Sequence, residues 1–319
     1  MYAMNYDITI GDYRLATLAS VTIKASVESL ASTAVIVLPG SAHNRALEIE
    51  SKITRGDKVC IRLGYDAPDT DLPVEFRGYV ESIATDEGCI KINCEDELYR
   101  YRRDLGDKVL TDVTVEQLMT YVNAEMGDYA LACDYDFRYD KFTIHNATAY
   151  DVLKKVQEET RANIYLRDTT LHIHPQYAEI GRTVIYDFAV NIEKSELRYL
   201  DESDRKVLCV VEGTDDAGKT IKVSRGTTGG DKVTLKIPGV SDTASLARRA
   251  DEELKVRCYT GYEGNITGWL IPYIEPAWLA EIRDADYEYK TGRYYVVSVE
   301  TSFSSSGGSR KITLGKKIG

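Results

Sequence analysis

With 319 residues, 43% of them hydrophobic and 29% charged, the chain can fill two or three domains, each with its own core. That composition excludes disorder over most of its length. A formal net charge of −11 excludes nucleic-acid binding as a primary task, which rests on clustered Lys and Arg neutralising phosphates. No stretch approaches the roughly 18 apolar residues of a membrane span, and no basic segment leads into an apolar run, so a soluble protein made in the cytoplasm is expected.

Residues 4–38 read as β structure. Tyr6, Ile8 and Ile10 alternate, Gly11-Asp12 turns, and alternation resumes over Val21–Val27 and Ala34–Leu38. It continues from Asp57 to Leu63, through a loop at Ala67–Pro73, to Phe76–Ile83, a turn at Asp86–Gly88 and Ile90–Cys94. Gly78 inside a strand marks a bulge or bend. Residues 105–185 change character. Apolar residues at 115, 118, 119, 122 and 126 have helical spacing, stopped by Gly127. A second helix opens on a capping-box-like Thr148-Ala-Tyr-Asp151 and buries Val152, Leu153 and Val156. Asn163–Asp168 and Leu171–His174 then read as paired strands. Strands return over 186–225 with a hairpin at Asp215–Gly218, followed by a strand at Val233–Ile237 and a helix from Thr243 to Tyr259 opened by Asp242 or Thr243.

One pattern occurs twice, about 220 residues apart. Ile53–Arg62, Gly78–Ile83 and Ile90–Ile92 are answered by Ile274–Arg283, Gly292–Val299 and Lys311–Leu314. The expected fold is therefore mainly β with an α+β insert: two similar small β-barrels, 1–104 and 186–225 with 263–319, around a middle α+β module at 105–185 on which 226–262 docks. The 23 Tyr, against 5 Phe and 2 Trp, suit strands and protein interfaces.

Segments that resemble chemical motifs read better as structure. Gly213–Thr220 fits the phosphate-binding loop letter for letter, but the run that follows, Thr220–Ser224, is β-branched rather than helical, and Asp215 and Asp216 would repel phosphate. His172 and His174 lie two apart on one strand face and could share a metal, yet no third ligand is near in sequence, and His43 and His145 cannot be placed beside them. Cys89 and Cys94 fall on opposite strand faces, and all six cysteines read as reduced, buried side chains. Arg55-Gly56-Asp57 is a turn. The acidic clusters Glu95–Glu97, Glu158-Glu159 and Asp251–Glu253 read as solvated faces rather than a glycosidase pair, the latter two on predicted helices. No catalytic residue, metal site or cofactor is expected.

The order and spacing of Gly56-Asp57-x-Val59-x-Ile61, Phe76-x-Gly78-x-Val80-x-x-Ile83, Ile90-x-Ile92-x-Cys94-x-Asp96, Ala149-x-Asp151-Val152-Leu153, and the final Gly292–Val299 and Gly307–Gly315 runs carry a resemblance. Taken together they resemble the baseplate hub proteins of contractile-tailed phages, including the late control D family and the tail proteins of Mu-like prophages. The resemblance implies a non-enzymatic structural protein of the virion tail baseplate, assembled in the bacterial host cytoplasm. It implies a homotrimer in which two barrels per chain form a pseudo-sixfold ring between a sixfold tail tube protein and a threefold tail spike protein, with DNA able to pass an acidic channel. Pro276-Ala277-Trp278 departs from the Pro-Gly such proteins usually carry, so a different entering turn is expected, with Trp278 exposed as a candidate partner contact. The alternatives are a tail-associated cell-wall hydrolase, which needs a carboxylate of raised pKa in a cleft, and a β-rich carbohydrate-binding module.

Overall fold

The computed structural model describes residues 3–39, 52–65, 72–86, 88–127, 129–167, 169–178, 180–215 and 217–318. His43, Asp168, Asp216, Glu87 and most of the expected loop at 67–73 lie outside the described residues.

Along the chain come β1 (Met4–Ile10), β2 (Tyr13–Arg14), β3 (Ser20–Ser26), β4 (Thr33–Pro39), β5 (Lys58–Tyr65), β6 (Val74–Asp86) and β7 (Cys89–Glu95). A mixed stretch holds β8 (Lys108–Thr114), α1 (Val115–Met126), β9 (Ala130–Cys133), β10 (Arg138–Ile144), α2 (Ala149–Thr160), β11 (Asn163–Arg167) and β12 (Thr170–His174). β13 (Thr183–Asp187), β14 (Lys194–Leu200), β15 (Val207–Thr214), β16 (Thr220–Gly226), β17 (Asp231–Pro238) and α3 (Thr243–Arg257) follow. The last strands are β18 (Gly261–Gly268), β19 (Leu279–Arg283), β20 (Gly292–Ser304) and β21 (Gly307–Lys317). The fold is mainly β with an α+β portion.

The chain divides into two compact units. The first holds residues 1–99, 181–197 and 263–319, and the second holds 100–180 and 198–262. In the second unit, Thr114 caps α1 in a capping box with Gln117, Thr148 caps α2 in one with Asp151, and Asp242 accepts the amides of Ala244 and Ser245 to open α3. The helices bury the expected stripes, Val115, Leu118, Met119 and Val122 on α1 and Val152, Leu153 and Val156 on α2. Three small sheets accompany them: β10-β8, β11-β12-β9 and β16-β15-β17. Here the structure differs from the expected boundaries. β15 and β16, assigned above to the second barrel, pair with each other in the second unit, where β15 also pairs with β17, while β13 belongs to the first. Alternation identifies a strand but not its partner, because a buried face looks the same in any sheet.

The first unit is built on one 13-stranded sheet, in the order β14-β18-β21-β20-β3-β4-β7-β6-β5-β1-β2, with β19 on β20 and β13 on β19. Period-two burial fills its core: Ile8, Val21, Ile23, Ile36, Val59, Ile61, Val80 and Ile92 are all at most 5% exposed, joined by Leu270 and Phe303 from the later part of the chain.

The two repeats correspond strand by strand. Gly56 N–H donates to the Val80 carbonyl and Val80 N–H to that of Asp57; likewise Ala277 N–H donates to Val296 and Val296 N–H to Trp278. Asp57 N–H closes a turn on Thr54 at 3.2 Å, as Trp278 N–H does on Glu275 at 3.3 Å. Gly56 has φ 91° and Ala277 has φ 66°. The entering turn is therefore the same in both copies, contrary to expectation, with alanine held in the left-handed region that favours glycine. Both long strands are bulged at equivalent places, between Val80 and Ser82 and between Val296 and Ser298. Ser82 then accepts from Asn93 Nδ2 at 3.0 Å, where Ser298 donates to Thr313 Oγ1 at 2.7 Å. This register pairs Gly78 with Tyr294 and Phe76 with Gly292, so the glycines that make the sequences look alike are offset by two residues. A two-residue slip keeps every side chain on its own face, which is why the pattern hides it.

Candidate functional site

The chemical look-alikes resolve locally. β15 and β16 form the hairpin expected at Gly213–Thr220, Thr214 facing Thr220. The Asp215 carboxylate accepts the amides of Ala217 (3.0 Å) and Lys219 (2.8 Å), so donors that a phosphate would need are already occupied. On β12, His172 Nδ1 lies 3.2 Å from His174 Nε2, and His174 Nδ1 lies 2.7 Å from Asp134 Oδ1. Tyr165 stacks on His172 with ring centroids 4.8 Å apart. The pair is satisfied by these partners, and among the described residues no three His, Cys, Asp or Glu side chains gather as a metal site. The Arg55-Gly56-Asp57 turn folds onto itself through Thr54 N–H donating to Asp57 Oδ2 at 2.8 Å. Cys94 is buried, and burial pushes its thiol up to about 12, which keeps it protonated and inert.

Two carboxyls titrate high. Burial raises Asp96 to about 6 against the amides of Ser32 and Leu98, which donate to its two oxygens at 2.6 and 3.0 Å. Both oxygens are engaged in tying the end of β7 to the turn before β4, which is a structural task. Burial also raises Glu159.

An ion pair that sequence reading missed joins the two repeats. Arg310 on β21 grips Glu75 on β6 with both nitrogens, Nη2 to Oε1 at 2.7 Å and Nη1 to Oε2 at 3.0 Å, with the two side chains 1% and 2% exposed. The same guanidinium donates to Thr301 Oγ1 at 2.9 Å and to the Leu270 carbonyl at 2.8 Å, and lies 5.0 Å from the centre of the Tyr273 ring. The signal was available: Arg310 is in phase with buried Ile312 and Leu314, and a cation on a buried strand face demands a buried carboxylate.

By holding the Leu270 carbonyl, Arg310 anchors a loop whose neighbours face solvent. Trp269 is 47% exposed and Ile271 53% exposed, while Leu270 between them is buried. Trp278, the expected contact residue, is half-buried. Its ring fills the space over Gly181, where a Cβ would lie 2.2 Å from Cδ1, and meets Tyr273 edge-on at 5.8 Å and the Arg182 guanidinium at 5.7 Å. The exposed apolar surface of this region thus falls on Trp269 and Ile271 more than on Trp278. Tyr287 and Tyr289, at 52% and 63% exposed, add a second aromatic group between β19 and β20.

No protein-family signature matches the sequence, and no curated protein is similar to it. Solved structures share its fold. A tail protein from Neisseria meningitidis MC58 superimposes with a TM-score of 0.68 at 14% identity, covering 99% of this chain and 97% of that one. The 43 kDa tail protein of prophage MuSo2 from Shewanella oneidensis gives 0.66 at 14% identity, covering 98% of each. Prophage tail protein gp18 from Listeria monocytogenes gives 0.58 at 12% identity, covering 97% of this chain and 94% of that one. The chain has the fold of these tail proteins along nearly its whole length.

Proposed function

We propose that the chain is a structural baseplate hub protein of a phage or prophage contractile tail. The observation that carries this reading is the sheet order, in which β14-β18-β21-β20 is followed directly by β3-β4-β7-β6, one four-strand block used twice in one chain. Three such chains supply six equivalent blocks. A threefold assembly thereby presents a pseudo-sixfold face to a tail tube and a threefold face to a spike. The fold shared with tail proteins, one of them from prophage MuSo2, supports the same reading. The net charge of −11 suits a ring channel with an acidic lumen, past which DNA slides without adhering. The exposed Trp269 and Ile271, with the solvent-facing part of Trp278, are the candidate contacts for tube or spike. The protein works as a scaffold in the virion tail baseplate, having been assembled in the host cytoplasm, and needs no catalytic group.

Size-exclusion chromatography with light scattering, on the chain alone and mixed with its tube and spike proteins, should return three copies per particle. A chain that stays monomeric with both partners present would overturn the reading. So would a lytic band on purified peptidoglycan, which a scaffold does not produce.

A further inference from the structure

The connection from β19 to β20 is a loop, Asp284-Ala-Asp-Tyr-Glu-Tyr-Lys290, tied down at its base and projecting at its tip. Asp284, its side chain 7% exposed, accepts the amides of Asp286 and Tyr287 on Oδ1 at 3.0 Å each. A single turn follows, in which Lys290 N–H donates to the Tyr287 carbonyl at 2.9 Å and Thr291 N–H to that of Glu288 at 3.0 Å. From the long strands beside it, the Tyr294 hydroxyl donates to the Lys290 carbonyl at 2.6 Å and Lys317 Nζ to the Thr291 carbonyl at 2.9 Å. Lys290 Nζ lies 3.8 Å from Asp284 Oδ2 and 3.9 Å from the centre of the Tyr287 ring.

This bracing leaves the side chains of the tip outside. Tyr287 and Tyr289 are 52% and 63% exposed, with ring centroids 6.0 Å apart and planes at 76°. Asp286 and Glu288, which alternate with them, are exposed as well. Rings already held in place lose little further freedom on burial, which is what makes such side chains good interface anchors. The chemistry of the tip is aromatic and anionic. Ring faces attract ammonium and guanidinium groups, as Lys290 does on Tyr287, and the two carboxylates offer charge-assisted bonds. A sugar ring fits less well, because two rings set nearly perpendicular make no flat platform. A second copy also fits less well, since a chain of net charge −11 carries the wrong sign for an anionic tip. The corresponding connection of the first repeat, 66–73, contains no aromatic residue, so the tip occurs once per chain and stands apart from the repeated surface.

We infer that the Tyr287–Tyr289 tip docks a basic protein surface, with arginine or lysine side chains of the partner seated against the two rings and paired with Asp286 and Glu288. The contact does not rest on the hub reading.

The test titrates a short synthetic peptide of alternating arginine and glycine into the full chain carrying isotopically labelled tyrosines, beside a glutamate-glycine peptide and a chitin oligosaccharide. The ring signals of Tyr287 and Tyr289 should shift saturably in nuclear magnetic resonance spectra with the basic peptide alone. Tyr287→Ala/Tyr289→Ala should weaken that binding about tenfold or more, as loss of a hot spot does. Asp286→Asn/Glu288→Gln should weaken it similarly and flatten its salt dependence, and it decides the matter alone if the alanine pair melts early. Tyr287→Phe/Tyr289→Phe keeps both rings and should bind as the parent does. Equal affinity in the parent and the substituted tips would overturn the inference, as would ring shifts produced by the oligosaccharide instead of the basic peptide. A fall in particle mass by light scattering on replacing the rings, with peptide binding unchanged, would assign the tip to another copy and overturn it too.

Discussion

Replacing Arg310 by methionine keeps most of the side-chain volume and removes the positive charge from the junction of the two repeats. It strands the Glu75 carboxylate, 2% exposed and bidentately held, with neither of its charge-assisted bonds, and frees the Leu270 carbonyl and Thr301 hydroxyl of their shared donor. Breaking a buried ion pair from one side costs about 3–5 kcal/mol, because the uncompensated charge stays in low dielectric. At urea slopes of ~2–3 kcal/mol/M, such a loss lowers the midpoint by roughly 1–2 M. Exchange of the β6, β20 and β21 amides as urea rises reports this unit without interference from the other. Glu75→Gln should cost about as much by the same mechanism. The double variant Glu75→Leu/Arg310→Met leaves no buried charge and should recover much of the loss, with a coupling of about 2–3 kcal/mol. A single substitution costing less than about 1 kcal/mol, or a double costing the sum of the singles, would refute the view that charge pairing rather than packing holds this junction.

The matched turns offer a second test. Ala277→Gly should stabilise by about 0.5–1 kcal/mol by relieving an alanine at φ 66°, and Gly56→Ala at φ 91° should destabilise by a similar amount, both read from thermal midpoints. Gly78→Ala should be far more damaging, by about 3 kcal/mol or more, since its Cβ would lie 2.1 Å from the Glu95 carbonyl oxygen; a fully stable variant would show that the β6–β7 register is wrong. Asp96 makes stability depend on pH. Its folded pKa of about 6 lies above the ordinary 3.8, so its favourable contribution is complete below about pH 4 and is lost as pH rises through 6. The loss is at most about 3 kcal/mol and is smaller for a half-buried group. Asp96→Asn should flatten denaturation midpoints between pH 4 and 6; an unchanged slope would assign it to other groups. Neither the parent chain nor Lys219→Ala should retain ATP in equilibrium dialysis, and measurable ATP binding by the parent chain would contradict the hairpin.

Local physics made much of this fold legible. Thr148 announced its helix because a side-chain oxygen three residues before a matching acceptor satisfies exposed amides wherever it occurs, and the 115–126 helix shows in the spacing of its apolar residues. The strands of the first repeat were readable from period two, since one face of each is buried. Partner choice was not. β15 and β16 read as strands as β18 does, and nothing in the residues of β15 says that it pairs with β17 on its other side. The turn at Ala277 was misjudged because glycine was treated as a requirement, whereas the hydrogen bonds to Val296 impose the conformation on alanine. Trp278 stands out in the sequence through the departure of Pro276-Ala277-Trp278 from a Pro-Gly turn. Gly181 opens a seat for it, and only the folded chain brings residue 181 beneath residue 278.

The junction of β20 with β3 carries a consequence for biogenesis. Ser26 and Val297 are 271 residues apart in the chain, so during synthesis the early strands leave the ribosome long before their neighbour exists. For that interval β3 offers a bare hydrogen-bonding edge beside Val21 and Ile23, in a topology whose non-local pairing is inherently slow. Nascent chains crowded on one message would expose the same template side by side, which makes holdase chaperones and slow translation the natural safeguards of productive yield.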